Sequence, residues 1–364
     1  MDEIAAPKKV SGTFLMPAAS KRVSQEDLDT VSKHAHRAFE SLRDARIFVT
    51  GGTGFFGKWL LETFSYANRQ LKLNAQLTAL SRNPEKLAQE LPHLAQDSSI
   101  RFLSGDISTF SFPPVEFTHV IHGATSTDPR VLQSSPDEIL KTILAGTKRV
   151  LDLAKQSKVR RFLFLSSGAV YGKQSPDVAN LQESELDLKH PPAATTTYAE
   201  GKRQAEQLCL THSKDFETVS ARCFTFIGPH LPLDYEFAAG NFIRDALAGK
   251  PIQIQGDGTP LRSYLYMTDL TVALWSLLTH GRTGEAYNVG SETAVSILEL
   301  AQATARVAES LGLKTGPIQV AKQPIPWQKS ARYVPSTAKI QRELNITQTI
   351  PLEPAILKTM KFLI

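Results

Sequence analysis

Tyr198 and Lys202 stand four positions apart in a stretch whose spacing predicts a helix over 197–214, so both side chains leave that helix on one face. Ser167 follows a separate apolar run at 161–166. A phenol titrates at about pH 10 and is a poor acid or base at neutrality unless a cation lowers its pKa; the Lys202 ammonium is the expected cation. Ser167 would then hydrogen-bond a reacting hydroxyl or carbonyl oxygen while Tyr198 exchanges its proton. A Tyr-x-x-x-Lys pair is also common on ordinary surface helices, so the trio takes its meaning from its surroundings.

Upstream lies Thr50-Gly51-Gly52-Thr53-Gly54-Phe55-Phe56-Gly57, between the apolar run Arg46–Thr50 and a helical stretch beginning at Lys58. Gly51 permits a tight turn, Gly54 lets a pyrophosphate approach the backbone, and Gly57 lets helix and strand pack closely. The helix N-terminus adds N–H donors and a positive dipole end. Gly51, Thr53, Gly54, Phe55, Phe56 and Gly57 are therefore the expected dinucleotide loop. The second strand ends in Leu80-Ser81-Arg82-Asn83, without the carboxylate that would pair with an adenosine ribose and repel a 2′-phosphate. Ser81 and Arg82 are able to donate to that phosphate, so the expected cofactor is NADP or NAD, with NADP preferred. Asp106 and Ile107 follow the third strand, where Asp106 is placed to accept from an adenine amino group; an ordinary turn aspartate reads nearly as well.

These groups need a scaffold that gathers strand ends. Short apolar runs at 46–50, 76–81, 100–103, 118–122, 161–166 and 217–223 alternate with helical patterns at 57–68, 84–90, 136–157 and 197–214. That order predicts an α/β fold with a doubly wound parallel sheet of the Rossmann type. After Gly228-Pro229 the alternation loosens into helices at 239–248, 268–280 and 296–312 with a tail at 335–363, which reads as a smaller C-terminal cap for a substrate. Residues 1–23 read as a polar arm, and 25–43 as an amphipathic helix capped by Ser24 that packs on the main domain. The expected divisions are 1–45, 46–225 and 226–364, with late segments able to return to the sheet.

Taken together, the glycine loop, His122-Gly123-Ala124-Thr125, Ser166-Ser167-Gly168-Ala169-Val170-Tyr171-Gly172, Tyr198 and Lys202, Gly256–Tyr264 and Tyr287-Asn288-Val289-Gly290 resemble the extended short-chain dehydrogenase/reductase family over residues 46–363. Within it the chain is similar to nucleotide-sugar epimerases, dehydratases, decarboxylases and reductases. The resemblance implies an NDP-sugar substrate. It also implies cofactor contacts from Gly123, Ala124, Thr125, Tyr198 and Lys202, and substrate contacts from Thr125, Ser126, Ser167, Thr225, Asn241, Arg262 and Arg332. A homodimer through helices 136–157 and 197–214 is implied as well.

The chain departs from its relatives where chemistry is decided. Dehydratases of the family carry Thr-Asp-Glu before Val-Tyr-Gly, and the decarboxylases carry Thr-Ser-Glu; here Ser167-Gly168-Ala169 stands instead. Neither Gly nor Ala titrates, so acid and base chemistry at the sugar's C5 and C6 is disfavoured unless Glu183, Glu185 or Asp128 supplies it. Ile143 replaces the usual Asn before Gly146-Thr147, and Thr225 replaces the Asn before Gly228-Pro229. What remains is hydride transfer at a carbinol or ketone. An NDP-4-keto-6-deoxyhexose reductase is preferred, an NDP-sugar 4-epimerase follows, and a dinucleotide-sensing regulator is the non-enzyme alternative.

Composition agrees with this reading. The 364 residues carry 41% hydrophobic and 21% charged residues, enough for a large core. A net charge of +5 is spread among mixed acidic and basic residues, which disfavours nucleic acid as a partner. Cys209 and Cys223 alone make neither a disulfide framework nor a metal site, so buried thiols in a reducing, cytoplasmic setting are expected, without a bound metal. No apolar run reaches the roughly 20 residues that span a bilayer, and the first residues lack a signal-peptide pattern, so no membrane association is expected.

Overall fold

A computed structural model describes residues 22–125, 136–188, 196–234 and 237–364. Six strands follow the expected runs: β1 (Arg46–Thr50), β2 (Gln76–Ser81), β3 (Ile100–Ser104), β4 (His119–His122), β5 (Arg161–Ser167) and β6 (Glu217–Cys223). Four short strands come next, β7 (Phe226–Ile227), β8 (Ile252–Ile254), β9 (Leu261–Arg262) and β10 (Leu265–Tyr266). The last four are β11 (Glu285–Val289), β12 (Val295–Ser296), β13 (Ile318–Val320) and β14 (Arg332–Tyr333). The main sheet has the order β11-β6-β5-β4-β1-β2-β3, with every neighbouring pair parallel. This is the doubly wound Rossmann arrangement. From β3 the chain crosses back to β4 beside β1, and that reversal opens a crevice beyond the C-terminal ends of β1 and β4.

Parallel strands covered on both faces must be apolar on both, and the interior residues Ile47, Phe48, Val49, Val120, Ile121, Phe162, Leu163 and Phe164 are buried accordingly. One face packs Trp59, Leu60 and Phe64 of helix Phe55–Gln70 with Trp275 of helix Met267–His280. The other packs Phe48, Phe162 and Phe164 against Ile143 and Val150 of helix Pro136–Gln156 and Ala205 and Cys209 of helix Thr197–Thr211. The cap side of the chain contributes to this layer: β11 extends the sheet beside β6, and helix Met267–His280 covers it. The remaining short strands form three small sheets, β10-β7, β12-β9-β14 and β13-β8.

The N-terminal segment differs in detail from one helix over 25–43. It forms Gln25–His34 and His36–Glu40, divided where Ala35 leaves helical dihedrals at φ −99° and ψ 15°. The division leaves Phe39 tilted against Trp275 at 5.4 Å between centroids. Ser24 caps the first helix by accepting the Asp27 N–H at 3.2 Å. The Asp27 carboxylate turns inward instead of completing a capping box; it accepts from Tyr266 Oη at 2.8 Å and from Lys358 Nζ at 3.0 Å. Through Asp27 the first helix is tied to both β10 and helix Leu352–Leu363.

Candidate active site

The glycine loop turns immediately after β1. Gly51 has φ +77°, which glycine adopts without strain. A Cβ at Gly57 would lie 2.3 Å from the Gly51 carbonyl oxygen, so helix and loop meet at a distance only glycine allows. The helix starts at Phe55, two residues before the expected 57, because Gly54 serves as its N-cap in extended geometry. The N–H groups of Phe55, Phe56 and Gly57 therefore belong to the first helical turn, where donors lack intrahelical acceptors. Gly54 is open, with only the Gly51 carbonyl near the position of a Cβ, at 3.4 Å. This cradle fits a dinucleotide pyrophosphate.

Thr50 joins the loop to the end of β4. Its Oγ1 accepts from the N–H groups of Gly123 and Ala124, each at 3.1 Å, and shares a 2.7 Å hydrogen bond with His122 Nδ1. The other ring nitrogen of His122 meets Thr147 Oγ1 at 3.1 Å. Burial lowers the imidazole pKa to about 3, with the Lys202 charge acting in the same sense, so His122 is a neutral clamp between β1, β4 and helix Pro136–Gln156. Gly123 sits close to Gly51, where a Cβ at Gly51 would lie 2.9 Å from the Gly123 carbonyl carbon.

At the adenosine end the residues divide. The Ser81 hydroxyl is turned inward, donating to Thr53 Oγ1 at 3.4 Å and accepting from the Asn83 N–H at 3.1 Å. Arg82 is exposed, and its charge helps to lower the Asp106 pKa, although hydrogen bonds from Ser108 are the larger cause. Ile107 is buried against Gly146. Ser126 and Asp128 lie outside the described residues, while Thr125 follows β4 at the crevice.

Ser167 ends β5 and caps the short 3₁₀ helix Gly168–Tyr171, its Oγ accepting from the Ala169 N–H at 3.2 Å. Thr196 Oγ1 caps helix Thr197–Thr211 through the Ala199 N–H, which sets Tyr198 in its first turn facing Ser167. Tyr198 lies close enough to Ser167 for the serine to act on its phenol. Ser167, Tyr198 and Lys202 are thus brought together, but their electrostatics differ from expectation. Burial raises the Tyr198 phenol to about 12, with Ser167 pulling the other way. The Lys202 ammonium donates to the Leu165 carbonyl at 2.9 Å and lies 5.8 Å from the Tyr198 ring centroid and 4.8 Å from that of Phe164. Its own pKa falls to about 8 through burial.

Beneath Ser167 runs a buried polar network that sequence spacing did not reveal. Ser166 donates to Glu206, and Glu206 receives Arg222 Nη2 at 2.8 Å. Arg222 Nη1 donates to Tyr171 Oη at 2.9 Å, and Tyr171 donates to Asn288 Oδ1 at 2.7 Å. The Asn288 N–H reaches Glu183 Oε1 at 2.8 Å, which occupies one carboxylate considered as a relocated acid; Glu185 is exposed. This network pins β5, β6 and β11 to the turn that presents Ser167.

From β14, late in the chain, Tyr333 enters the same space. Parallel pairing of β14 with β9 sets it opposite Arg262, whose guanidinium lies 6.0 Å from its ring centroid. The Tyr333 ring packs on Phe224 at 4.7 Å, and its phenol lies close enough to Ser167 for the serine to oppose the rise that burial gives its pKa. Arg332 directs Nε to the Ala179 carbonyl at 3.1 Å. Asn241 Oδ1 accepts from Arg244 at 3.0 Å, and the Thr225 carbonyl accepts the Leu265 N–H at 3.0 Å. Ile143 packs against Gly201 within the apolar layer that also takes the Tyr198 ring.

Comparison with known proteins agrees with this geometry. The model of the NAD dependent epimerase/dehydratase family matches residues 47–290. UDP-glucuronic acid decarboxylase 1 of Danio rerio is 27% identical over 346 residues, covering 94% of this chain and 78% of that protein. UDP-glucuronic acid decarboxylase 6 of Arabidopsis thaliana is 30% identical over 259 residues, covering 71% and 72%. UDP-glucose 4-epimerase of Thermus thermophilus, solved in complex with NAD, superposes with a TM-score of 0.70 at 23% identity, over 87% of this chain and 98% of that one.

Proposed function

The chain belongs to the NAD-dependent epimerase/dehydratase family, and on that premise we propose that it reduces the ketone of an NDP-4-keto-6-deoxyhexose, with NADPH preferred over NADH. The observation that carries this reading is the surface beside Ser167. Gly168 and Ala169 occupy the positions of the family's acids, and neither side chain titrates. Neither of these two residues supplies a base for deprotonation at C5, whereas exchange at a carbonyl oxygen needs only the phenol and the serine.

The loop at 51–57, with Gly123 and Ala124 at its back, would hold the cofactor, and the bound nicotinamide would supply hydride chemistry at the sugar carbon. Burial keeps Tyr198 a neutral phenol, the form that gives a proton to a developing alkoxide. Ser167 orients the same oxygen. Lys202 places a cation at the base of the pocket, and Arg262 and Arg332 are assigned to the substrate's diphosphate. Two copies of the chain pairing through helices Pro136–Gln156 and Thr197–Thr211 complete the proposed assembly; a monomer by light scattering would refute that pairing.

A second reading, 4-epimerisation with retained NAD, is favoured by one observation. The inward-turned Ser81 hydroxyl leaves Arg82 as the single donor toward a 2′-phosphate from this pair. Incubation of purified protein with an NDP-4-keto-6-deoxyhexose and either NADPH or NADH, and separately with UDP-hexoses alone, decides between them. Net cofactor oxidation supports reduction, and a new epimer without it supports the second reading. Deuterium incorporation from solvent at C5, or release of carbon dioxide, would overturn both.

A further inference from the structure

Of the side chains facing Ser167, one comes from far along the chain and lies outside the trio. A Cβ at Gly168 would lie 2.5 Å from the Tyr333 hydroxyl and 2.8 Å from the nearest atoms of the Phe224 ring. The volume that any larger residue at 168 would claim is therefore filled by the Tyr333 phenol, which packs on Phe224 and lies close enough to Ser167 for the serine to act on it. Its backbone is fixed by β14, and Arg262 on β9 lies alongside. Two phenols, Tyr198 from helix Thr197–Thr211 and Tyr333 from β14, thus converge on one serine. We propose that Tyr333 is a substrate-contacting specificity residue, whose hydroxyl, seated over Gly168, hydrogen-bonds the sugar at the oxygen next to the reacting carbon.

The assignment rests on the nucleotide-sugar reading above and deepens it. Family members with an acid at the position of Gly168 present a charged acceptor there; this chain presents a neutral hydroxyl that both donates and accepts. Burial raises the Tyr333 pKa well above neutrality, so the group stays protonated and recognises a hydroxyl or carbonyl without titrating. The contact selects the sugar, because the diphosphate is left to the arginines and the cofactor to the glycine loop.

The test uses the full chain and calorimetric titration with dTDP-4-keto-6-deoxyglucose, UDP-glucose and UDP-glucuronic acid, each compared with dTDP or UDP alone. For at least one sugar the wild type should bind more tightly than to the bare diphosphate. Tyr333→Phe, which keeps the ring on Phe224, should reduce that sugar-dependent gain about 3- to 10-fold while leaving affinity for UDP, dTDP and NADH unchanged. Gly168→Ala should reproduce the loss by displacing the hydroxyl, and should add little to Tyr333→Phe. A wild-type sugar gain that survives Tyr333→Phe overturns the role of Tyr333 alone. Absence of any sugar gain in the wild type overturns the nucleotide-sugar reading and this assignment with it.

Discussion

Lys202 offers a direct test of the electrostatics of the site. Its ammonium is buried, and its pKa falls from an ordinary 10.5 to about 8 because desolvation outweighs the opposing influence of its neighbours, Glu206 among them. A lowered lysine pKa means that the folded state disfavours the charged form. Below about pH 8 both folded and unfolded chains hold the proton, and the full penalty, about 3 kcal/mol, bears on the folded state. Between about 8 and 10.5 the unfolded chain keeps a proton that the folded chain has released, so this residue's contribution to stability rises with pH by up to about 1.4 kcal/mol per pH unit. Lys202→Met removes that dependence but also removes the donor to the Leu165 carbonyl, which costs about 1–3 kcal/mol. At pH 7 the two effects nearly cancel, and the variant should fall within about 2 kcal/mol of wild type. From pH 7.5 to 9.5 the wild type should gain about 2 kcal/mol relative to the variant. Cys209 and Cys223, whose thiols burial pushes up, pull both curves downward over this range and largely cancel in the difference. Urea unfolding of the cofactor-free proteins under reducing conditions measures that difference; parallel curves would refute a buried, perturbed lysine.

The glycine loop, the buried network and the phenol give three further expectations. Gly57→Ala forces a methyl into the Gly51 and Gly52 backbone, so NADH affinity measured by fluorescence should fall at least about tenfold and stability by about 1–3 kcal/mol. Glu206→Gln leaves the buried Arg222 charge without its partner and should cost about 3–5 kcal/mol in chemical denaturation; a loss below about 1 kcal/mol would mean that water reaches the pair. Tyr198→Phe should lower kcat about 10²- to 10⁴-fold with cofactor affinity unchanged, and an equal loss of both would recast Tyr198 as a cofactor ligand only.

The features that sequence reading located were the local ones. A glycine turn between a strand end and a helix start is written in consecutive residues, so Gly51, Gly54 and Gly57 declare that geometry within one short segment. The alternation of apolar runs and helical patterns likewise fixes a parallel sheet, because only strands covered on both faces read as continuously apolar. Spacing alone did not reveal β11 as a strand of the main sheet. Its five residues include Glu285 and Asn288, whose side chains bond Lys339 and Tyr171, so the run lacks the continuous apolar character of the interior strands. The Asp27 contacts with Tyr266 and Lys358, and the Glu206–Arg222 pair, were equally invisible, since each joins residues that meet only after the elements carrying them have packed.

Lys202 and Gly168 show how the same limit bears on chemistry. Helical spacing correctly placed Lys202 beside Tyr198, yet a shared face does not say where an ammonium points, and here the Leu165 carbonyl takes it. At Gly168 the sequence showed only a missing carboxylate. The vacancy is sterically filled, because β14 carries Tyr333 into the space that an acidic side chain would have occupied. Restoring a carboxylate at position 168 would therefore have to expel the Tyr333 hydroxyl before it could act as a base. Gly168→Asp alone is accordingly expected to lose sugar binding without gaining C5 exchange in deuterated solvent.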